Sequence, residues 1–488
     1  MNLRYGIIVL GLLIAWRGVS QTAIDKVLQS YQADADLLHA SYSFCILDAQ
    51  TGKTIQEYNP ELSLAPASTL KIVTTSAALG ILGKNYTYKT KVYFTNRPDA
   101  NGLVKGDLVV KGSGDPSLNS EYFYKDNVLQ LWTEKLKAAG LKSLSGMVVT
   151  DNSCFDNRIP STWIWGDMGN YFGTGASGLS FCDNKFIATF RSGAAGSKTE
   201  LLSLKTRQGI TIHHDALIDS VLAGGSEDNA VIFGAPGQSP KAVTGTIPPN
   251  QAAYEVEGAM ASPANELRDE LEQLLSDQGI NIAYKPEPVS WTNDGKSYLF
   301  NYPAYTLAFT HVSPSLERIV YYTNTKSDNH YAETLLNTVG AAKSGKQGTT
   351  ANGIDAVTAY WKGRGVDVSG LFMVDGSGLS RANAITTKIQ ATILSKIYRD
   401  STMYTAFNAS LPVAGKNGSM ASLCKGTFAE NNLRAKTGYI TRARGYCGYV
   451  KTKSGKELAF SILFNNYACS PKEMKLKIER FLVALCDL

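Results

Sequence analysis

Histidine is scarce: His39, His213, His214, His311 and His330 are the only five in 488 residues. With no Gly-x-Ser-x-Gly elbow beside them, a Ser-His-Asp hydrolase has little support. The seven cysteines, Cys45, Cys154, Cys182, Cys424, Cys447, Cys469 and Cys486, form no Cys-x-x-Cys pair, so neither a zinc site nor a dense disulfide scaffold is signalled. Their odd number leaves at least one unpaired within a monomer, and several lie in apolar stretches where cysteine acts as a small buried hydrophobe. His213-His214-Asp215 suggests metal ligands, but adjacent residues of a strand point to opposite faces, and surface histidines are the expectation. Clustered charge is also lacking: the formal net charge is +6, falling to +4 without Arg4 and Arg17, and nothing points to nucleic acid. No internal repeat or low-complexity tract appears.

One apolar run stands out, Ile7 to Ala15, preceded by Arg4 and followed by Gly18-Val19-Ser20. That is the pattern of a signal peptide, residues 1–20, cleaved after Ser20. No later segment approaches transmembrane length, so the mature chain is expected to be exported, periplasmic or associated with the cell envelope. At 488 residues with 44% hydrophobic and 18% charged composition, two or three ordinary globular domains are expected.

The chain opens with a helix (Thr22 to Ala33) and a hairpin (Tyr42 to Asp48, Thr54 to Tyr58) turning at Gln50-Thr51-Gly52-Lys53. Alternating strand segments follow at Tyr88 to Phe94, Gly106 to Lys111 and Gly146 to Asp151, with a helix from Val128 to Ala139. A Gly-, Ser- and Thr-rich stretch carries strand signals at Lys185 to Phe190 and Ile210 to His213. Helical periodicity returns at Ala261 to Gln278, before a strand-containing linker that runs to about Ser297. From Tyr302 come a strand, helices at Leu316 to Thr325, Tyr331 to Val339, Asp355 to Arg364 and Thr387 to Arg399, and strands near Leu433 to Lys436, Arg444 to Lys451 and Glu457 to Asn465. A helix from Pro471 to Leu485 closes the chain. A hairpin at one end and strands plus a helix at the other imply an α+β domain split by a long insertion.

Chemistry concentrates in Ala65-Pro66-Ala67-Ser68-Thr69-Leu70-Lys71. Pro66 suits a first helical turn, and Leu70, Val73 and Ala77 recur toward a core. Ser68 and Lys71 therefore share one helix face, where a neutral lysine can take the serine proton. The spacing alone is weak, since Ser422-Leu423-Cys424-Lys425 repeats it. Gly173 to Gly178 matches a dinucleotide-binding pattern, but no apolar strand precedes it and no clear helix follows. The set that survives is Ser68-x-x-Lys71, then Ser327-Asp328-Asn329 in a break between helices, then Lys436-Thr437-Gly438 ending a strand. Ser117-Leu118-Asn119 repeats the second pattern in the wrong context.

This triple resembles the signature of the serine penicillin-recognising enzymes. About 255 residues separate Lys71 from Ser327, a spacing similar to that of the low-molecular-mass class C penicillin-binding proteins, the D-Ala-D-Ala carboxypeptidase/endopeptidase family. Lys111 to Leu118 and Asp375 to Arg381, with Asn383 and Thr386, resemble that family too. The resemblance implies a β-lactamase/transpeptidase-like domain, an antiparallel sheet flanked by helices, interrupted by two smaller domains, one nested in the other. The expected division is 21–86 with 290–488 for the catalytic domain, 87–165 with 255–289 for a mixed α/β insert, and 166–254 for a nested β-rich domain.

The resemblance also implies roles. Ser68 would form an acyl-enzyme with peptidoglycan stem peptides or β-lactams, and Lys71 would be its base, its pKa lowered by partial burial and by Lys436. Ser327 would relay a proton to the leaving amine, and Asn329 would hydrogen-bond Lys71 and the substrate. Lys436 and Thr437 would bind the terminal carboxylate, with Asp328, Gly438 and Tyr439 completing the substrate site. Backbone N–H groups of Ser68 and Tyr439 would form the oxyanion hole. No metal or organic cofactor is required. Tyr439 stands where the family commonly has Thr or Ser, which puts carboxylate recognition there on other groups, Thr437, Thr441 or Arg442. The alternatives are a serine β-lactamase, disfavoured by the long insertion, and a non-catalytic wall-binding protein on the same fold.

Overall fold

The computed structural model describes residues 21–283 and 299–488. The expected signal peptide and most of the linker toward Ser297 lie outside the described residues. Thr22 caps the first helix, Ala23–Gln32, through a capping box with Asp25. The hairpin follows as Ser41–Asp48 and Thr54–Tyr58, and the chain's last three strands, Arg434–Ile440, Ala443–Lys451 and Glu457–Asn465, complete its sheet. All five strands are antiparallel, in the order Arg434–Ile440, Ala443–Lys451, Glu457–Asn465, Ser41–Asp48, Thr54–Tyr58. The two ends of the chain meet at the Ser41–Asp48 strand, where Ser41 pairs with Asn465 and Asp48 with Leu458.

Side-chain alternation explains why this sheet is covered on both faces. Leu458, Phe460, Ile462 and Phe464 pack into one cluster with the Pro471–Ala484 helix, through Ile478 and Phe481. Their neighbours Ala459 and Leu463 join a second cluster on the opposite face, built on the helices Lys71–Leu82, Asn329–Ser344 and Thr387–Tyr398. The Lys71–Leu82 helix is buried from Lys71 through Leu79, so this turn is enclosed by its neighbours.

Between these ends, Lys89–Phe94, Leu108–Lys111 and Val148–Asp151 form a four-stranded sheet with Thr306–Val312, a strand from the far side of the insertion. Glu200–Lys205, Lys185–Arg191 and Tyr254–Ala259 form one three-stranded sheet; Leu217–Ala223, Lys241–Ile247 and Val231–Phe233 form another. The helices Val128–Ala138 and Pro263–Asp277 share one apolar cluster with both regions, from Val92 and Trp132 to Phe186, Ile232 and Val256.

Most of the expected elements form within a few residues of where the sequence pattern puts them, while the strands Glu200–Lys205, Leu217–Ala223, Val231–Phe233, Lys241–Ile247 and Tyr254–Ala259 carry no individual expectation beyond a β-rich stretch. Two further differences have a clear physical reason. Ile210 to His213 is not a strand: only Thr211 makes an isolated bridge, and the His213 and His214 N–H groups donate instead to the Glu266 carboxylate. His214 is partly buried and 2.7 Å from Asp269, so the expectation of two surface histidines holds only for His213. The helix Tyr404–Ser410 has no expected counterpart, since seven residues with only Phe407 and Ser410 buried leave little periodicity to detect. All seven cysteines are free and lie buried or partly buried.

Candidate active site

Ser68 sits in a short 3-10 turn, Ala67–Leu70, that runs into the Lys71–Leu82 α-helix, rather than in a continuous α-helix. Ala67, immediately before it, has φ +47°, and Ser327 has φ +60°. Non-glycine residues held there cost about 1–3 kcal/mol each and concentrate where a side chain must be aimed. Lys71 Nζ donates to Ser68 Oγ at 3.0 Å, to Asn329 Oδ1 at 2.6 Å and to the Ser377 carbonyl at 2.9 Å. It is completely buried.

Burial holds the Lys71 ammonium down at about 8, against opposing influences from the Glu333, Asp375 and Asp328 carboxylates. Burial is thus complete where partial burial was expected, and the repulsion between the two lysines falls on Lys436 instead. Lys436 is pushed well below its ordinary value, first by burial and then by the Lys71 charge. Its Nζ donates to Ser327 Oγ at 2.9 Å and to the Thr437 carbonyl at 2.8 Å. Three distant stretches of chain thus supply two hydrogen-bonded sets, Lys71 with Ser68 and Asn329, and Lys436 with Ser327, and the Lys71 charge acts on Lys436 between them.

Asn329 begins the Asn329–Ser344 helix, and its Nδ2 donates to the Phe172 carbonyl at 2.7 Å. Asp328 is the helix N-cap: it accepts from the Tyr331 N–H at 3.0 Å and from the Tyr122 hydroxyl at 3.2 Å. Its carboxylate thus holds the helix start. Thr437, Gly438 and Tyr439 follow Lys436 on the sheet's edge strand. A Cβ on Gly438 would stand 2.5 Å from the Pro66 carbonyl oxygen and 3.1 Å from the Ser68 nitrogen, so only glycine lets this strand approach the serine. Tyr439 is 51% exposed, with the Arg444 guanidinium 5.2 Å from its ring centre.

Several supporting groups carried no specific sequence signal. The Glu333 carboxylate accepts the Gly376 N–H at 3.0 Å and the Ser377 N–H at 2.7 Å, fixing the loop whose Ser377 carbonyl holds Lys71. Burial, then the neighbouring Asp375, raises Glu333 to about 8. Asp375 itself accepts from Trp163 Nε1, Asn383 Nδ2 and the Gly378 N–H. The Asp375 to Arg381 similarity pointed at this loop but not at its contact with Lys71. The Gly173 to Gly178 stretch holds no nucleotide-type turn into a helix; its Gly175 carbonyl lies 3.0 Å from His330 Nδ1. Ser422, of the repeated Ser-x-x-Lys spacing, accepts from Lys475 at 2.6 Å.

A serine bonded to a buried lysine, beside a Ser-x-Asn turn and a Lys-Thr-Gly edge strand, defines the class of serine acyl-transferring hydrolases that penicillins recognise. The comparisons narrow the class. The model of the D-Ala-D-Ala carboxypeptidase 3 (S13) family matches residues 24–485, and the chain belongs to that family. It is a serine-type D-Ala-D-Ala carboxypeptidase. The D-alanyl-D-alanine carboxypeptidase of Actinomadura sp. (strain R39) is 28% identical over 466 residues, spanning 92% of this chain and 82% of that protein. The D-alanyl-D-alanine carboxypeptidase DacB of Haemophilus influenzae is 24% identical over 446 residues, spanning 90% and 88%. The crystal structure of penicillin binding protein 4 from H. influenzae shares the fold, with a TM-score of 0.76 at 21% identity, covering 94% of this chain and 98% of that one.

Proposed function

We propose that Ser68 is the nucleophile that takes the acyl group from a peptidoglycan stem peptide, or from a β-lactam. The observation that carries this is the 3.0 Å contact between Ser68 Oγ and Lys71 Nζ, on a lysine whose pKa burial has lowered to about 8. A neutral Lys71 takes the Ser68 proton as Oγ attacks the carbonyl of the penultimate D-alanine. The N–H groups of Ser68 and Tyr439 receive the oxyanion, favoured by the close approach that Gly438 permits. The proton taken up by Lys71 is then relayed through Ser327, held by Lys436, to the departing D-alanine amine, so that Lys71 is neutral and Ser327 protonated again when water releases the acyl group. Asn329 orients Lys71 and the substrate amide; Lys436 and Thr437 bind the terminal carboxylate; Asp328 positions the Asn329 turn.

The same apparatus serves terminal and cross-linked peptides, so carboxypeptidase and endopeptidase action are both within its reach. We assign the chain to the cell envelope, reached through the 1–20 signal; among the described residues no helix is long and apolar enough to cross a membrane. The proposed division into a split catalytic domain and two inserted parts is supported by the pairing of the chain ends in one sheet. The Thr306–Val312 strand then belongs with the insert it pairs to, and the two inserted parts share a core.

Incubation with penicillin followed by peptide mass mapping tests the assignment. One stable adduct on the peptide containing Ser68 is expected, with none in Ser68→Ala. Rapid penicillin turnover without a trapped adduct would make the enzyme a β-lactamase. Digestion of intact peptidoglycan separates the two peptidase activities: pentapeptide shortening reports carboxypeptidase action, and loss of cross-linked dimers reports endopeptidase action.

A further inference from the structure

Along an edge strand, alternate side chains point to opposite faces. On Arg434–Ile440, Lys436 and Gly438 are turned toward Ser327 and Ser68. Thr437 and Tyr439 take the other face, where Tyr439 lies under its cross-strand partner Arg444. The next residue on Thr437's face therefore brings a ring stacked on a cation, not a small hydroxyl. Thr437 Oγ1 instead has Ser419 Oγ at 2.7 Å, supplied by a separate loop.

That loop is built against the strand. Ala414 donates to the Leu433 carbonyl and Ala435 to the Pro412 carbonyl, both at 2.9 Å, so residues 412–414 run beside the strand's start. Asn417 Oδ1 accepts the Val413 N–H at 2.8 Å, and Met420 is fully buried. Ser419, between these anchors, is exposed. Two solvent-facing hydroxyls are thus held at hydrogen-bond distance, beside the residue after Lys436. Thr437 donates to Ser419 here, and a carboxylate can replace that bond by accepting both protons, one on each oxygen, hydrogen bonds to a charged acceptor being the stronger kind.

We propose that Ser419 is a specificity-determining residue, which with Thr437 forms a two-hydroxyl clamp for the free C-terminal carboxylate of the peptide substrate. The assignment rests on the Ser68 cleft acting as proposed above.

Kinetics on a short peptide ending in D-Ala-D-Ala, and on the same peptide with its C-terminus amidated, test it. The unsubstituted enzyme should prefer the free acid. Ser419→Ala should raise KM for the acid about tenfold with kcat within about threefold, and shrink the acid-over-amide preference by the same factor. Adding Tyr439→Thr to Ser419→Ala places a small hydroxyl two residues from Thr437 and should restore the preference. An unchanged KM and preference in Ser419→Ala overturns the proposal, as does an equal loss on acid and amide, or no preference in the unsubstituted enzyme. Ser68→Ala is the separate control: hydrolysis surviving in that variant overturns the cleft assignment, whatever Ser419 does.

Discussion

The helix that carries Lys71 and the edge strand that carries Lys436 each bury a lysine completely, yet they surround it differently. Lys71 has three oxygen acceptors, from Ser68, Asn329 and Ser377, and three carboxylates that pull its pKa back up. Lys436 has two acceptors, and after burial the largest influence on it is the Lys71 charge, which lowers its pKa further. Burial lowers both pKa values, and at Lys71 the carboxylates work against it, leaving a group that can gain and lose a proton near neutral pH. The carboxylates around Lys71 thus temper its burial, while the Lys71 charge adds to the effect of burial on Lys436 beside Ser327.

Removing Lys436 breaks this comparison most severely. A lysine whose folded pKa is depressed below its ordinary 10.5 binds fewer protons folded than unfolded, so it opposes folding increasingly as pH falls from 10.5 toward the folded value. At neutral pH that opposition is present. Lys436→Met should therefore lose about 10²–10⁴-fold in kcat/KM while its Tm holds or rises. A Tm lower than that of the unsubstituted enzyme would show that the hydrogen bonds to Ser327 and Thr437 outweigh the cost of burying the charge. Lys71→Met, which also removes a partner from Asn329 and from the Ser377 carbonyl, should lose as much activity and gain less stability.

How far the sequence disclosed these two regions follows from the kind of contact involved. Ser68 and Lys71 are three residues apart, and helical geometry alone brings them together. Lys436 and Gly438 share a strand face by the same kind of local rule. The α+β sheet was legible because Leu458 to Phe464 is apolar at every position but Ser461, as a strand covered on both faces should be. The groups that tune Lys71 were not legible. The Ser377 and Phe172 carbonyls are backbone atoms with no residue signature, and Glu333 is an ordinary helical glutamate until the fold brings it to Gly376 and Ser377. Ser419 is likewise one serine among many, marked only by its distance to Thr437.

The Lys71 side can be sharpened by pH. The proposed acylation needs neutral Lys71, so kcat/KM should rise with pH through an inflection near 8 and fall away below it. Glu333 is the first of the carboxylates that raise Lys71. In Glu333→Gln the inflection should move to lower pH, by less than a fully ionised carboxylate would give, because Glu333 is itself raised to about 8 and carries only part of its charge at the inflection. The same change weakens the hold on the Gly376 and Ser377 N–H groups, so the plateau rate should drop, by about tenfold or less. An inflection that stays in place, or moves upward, would remove Glu333 from the tuning of Lys71.

The strand side is sharpened by the smallest expected change. Tyr439 contributes its backbone N–H to the proposed oxyanion hole, and its ring packs against Arg444, with the side chain half exposed. None of these needs the phenolic hydroxyl. Tyr439→Phe keeps the N–H, the ring and the cation–π contact, so kcat and KM should each stay within about twofold of the unsubstituted enzyme. If instead KM for the free-acid peptide rises severalfold while the amidated peptide is unaffected, the phenol touches the carboxylate. The clamp would then include Tyr439, and the strand would have kept a hydroxyl at this position by lengthening its side chain.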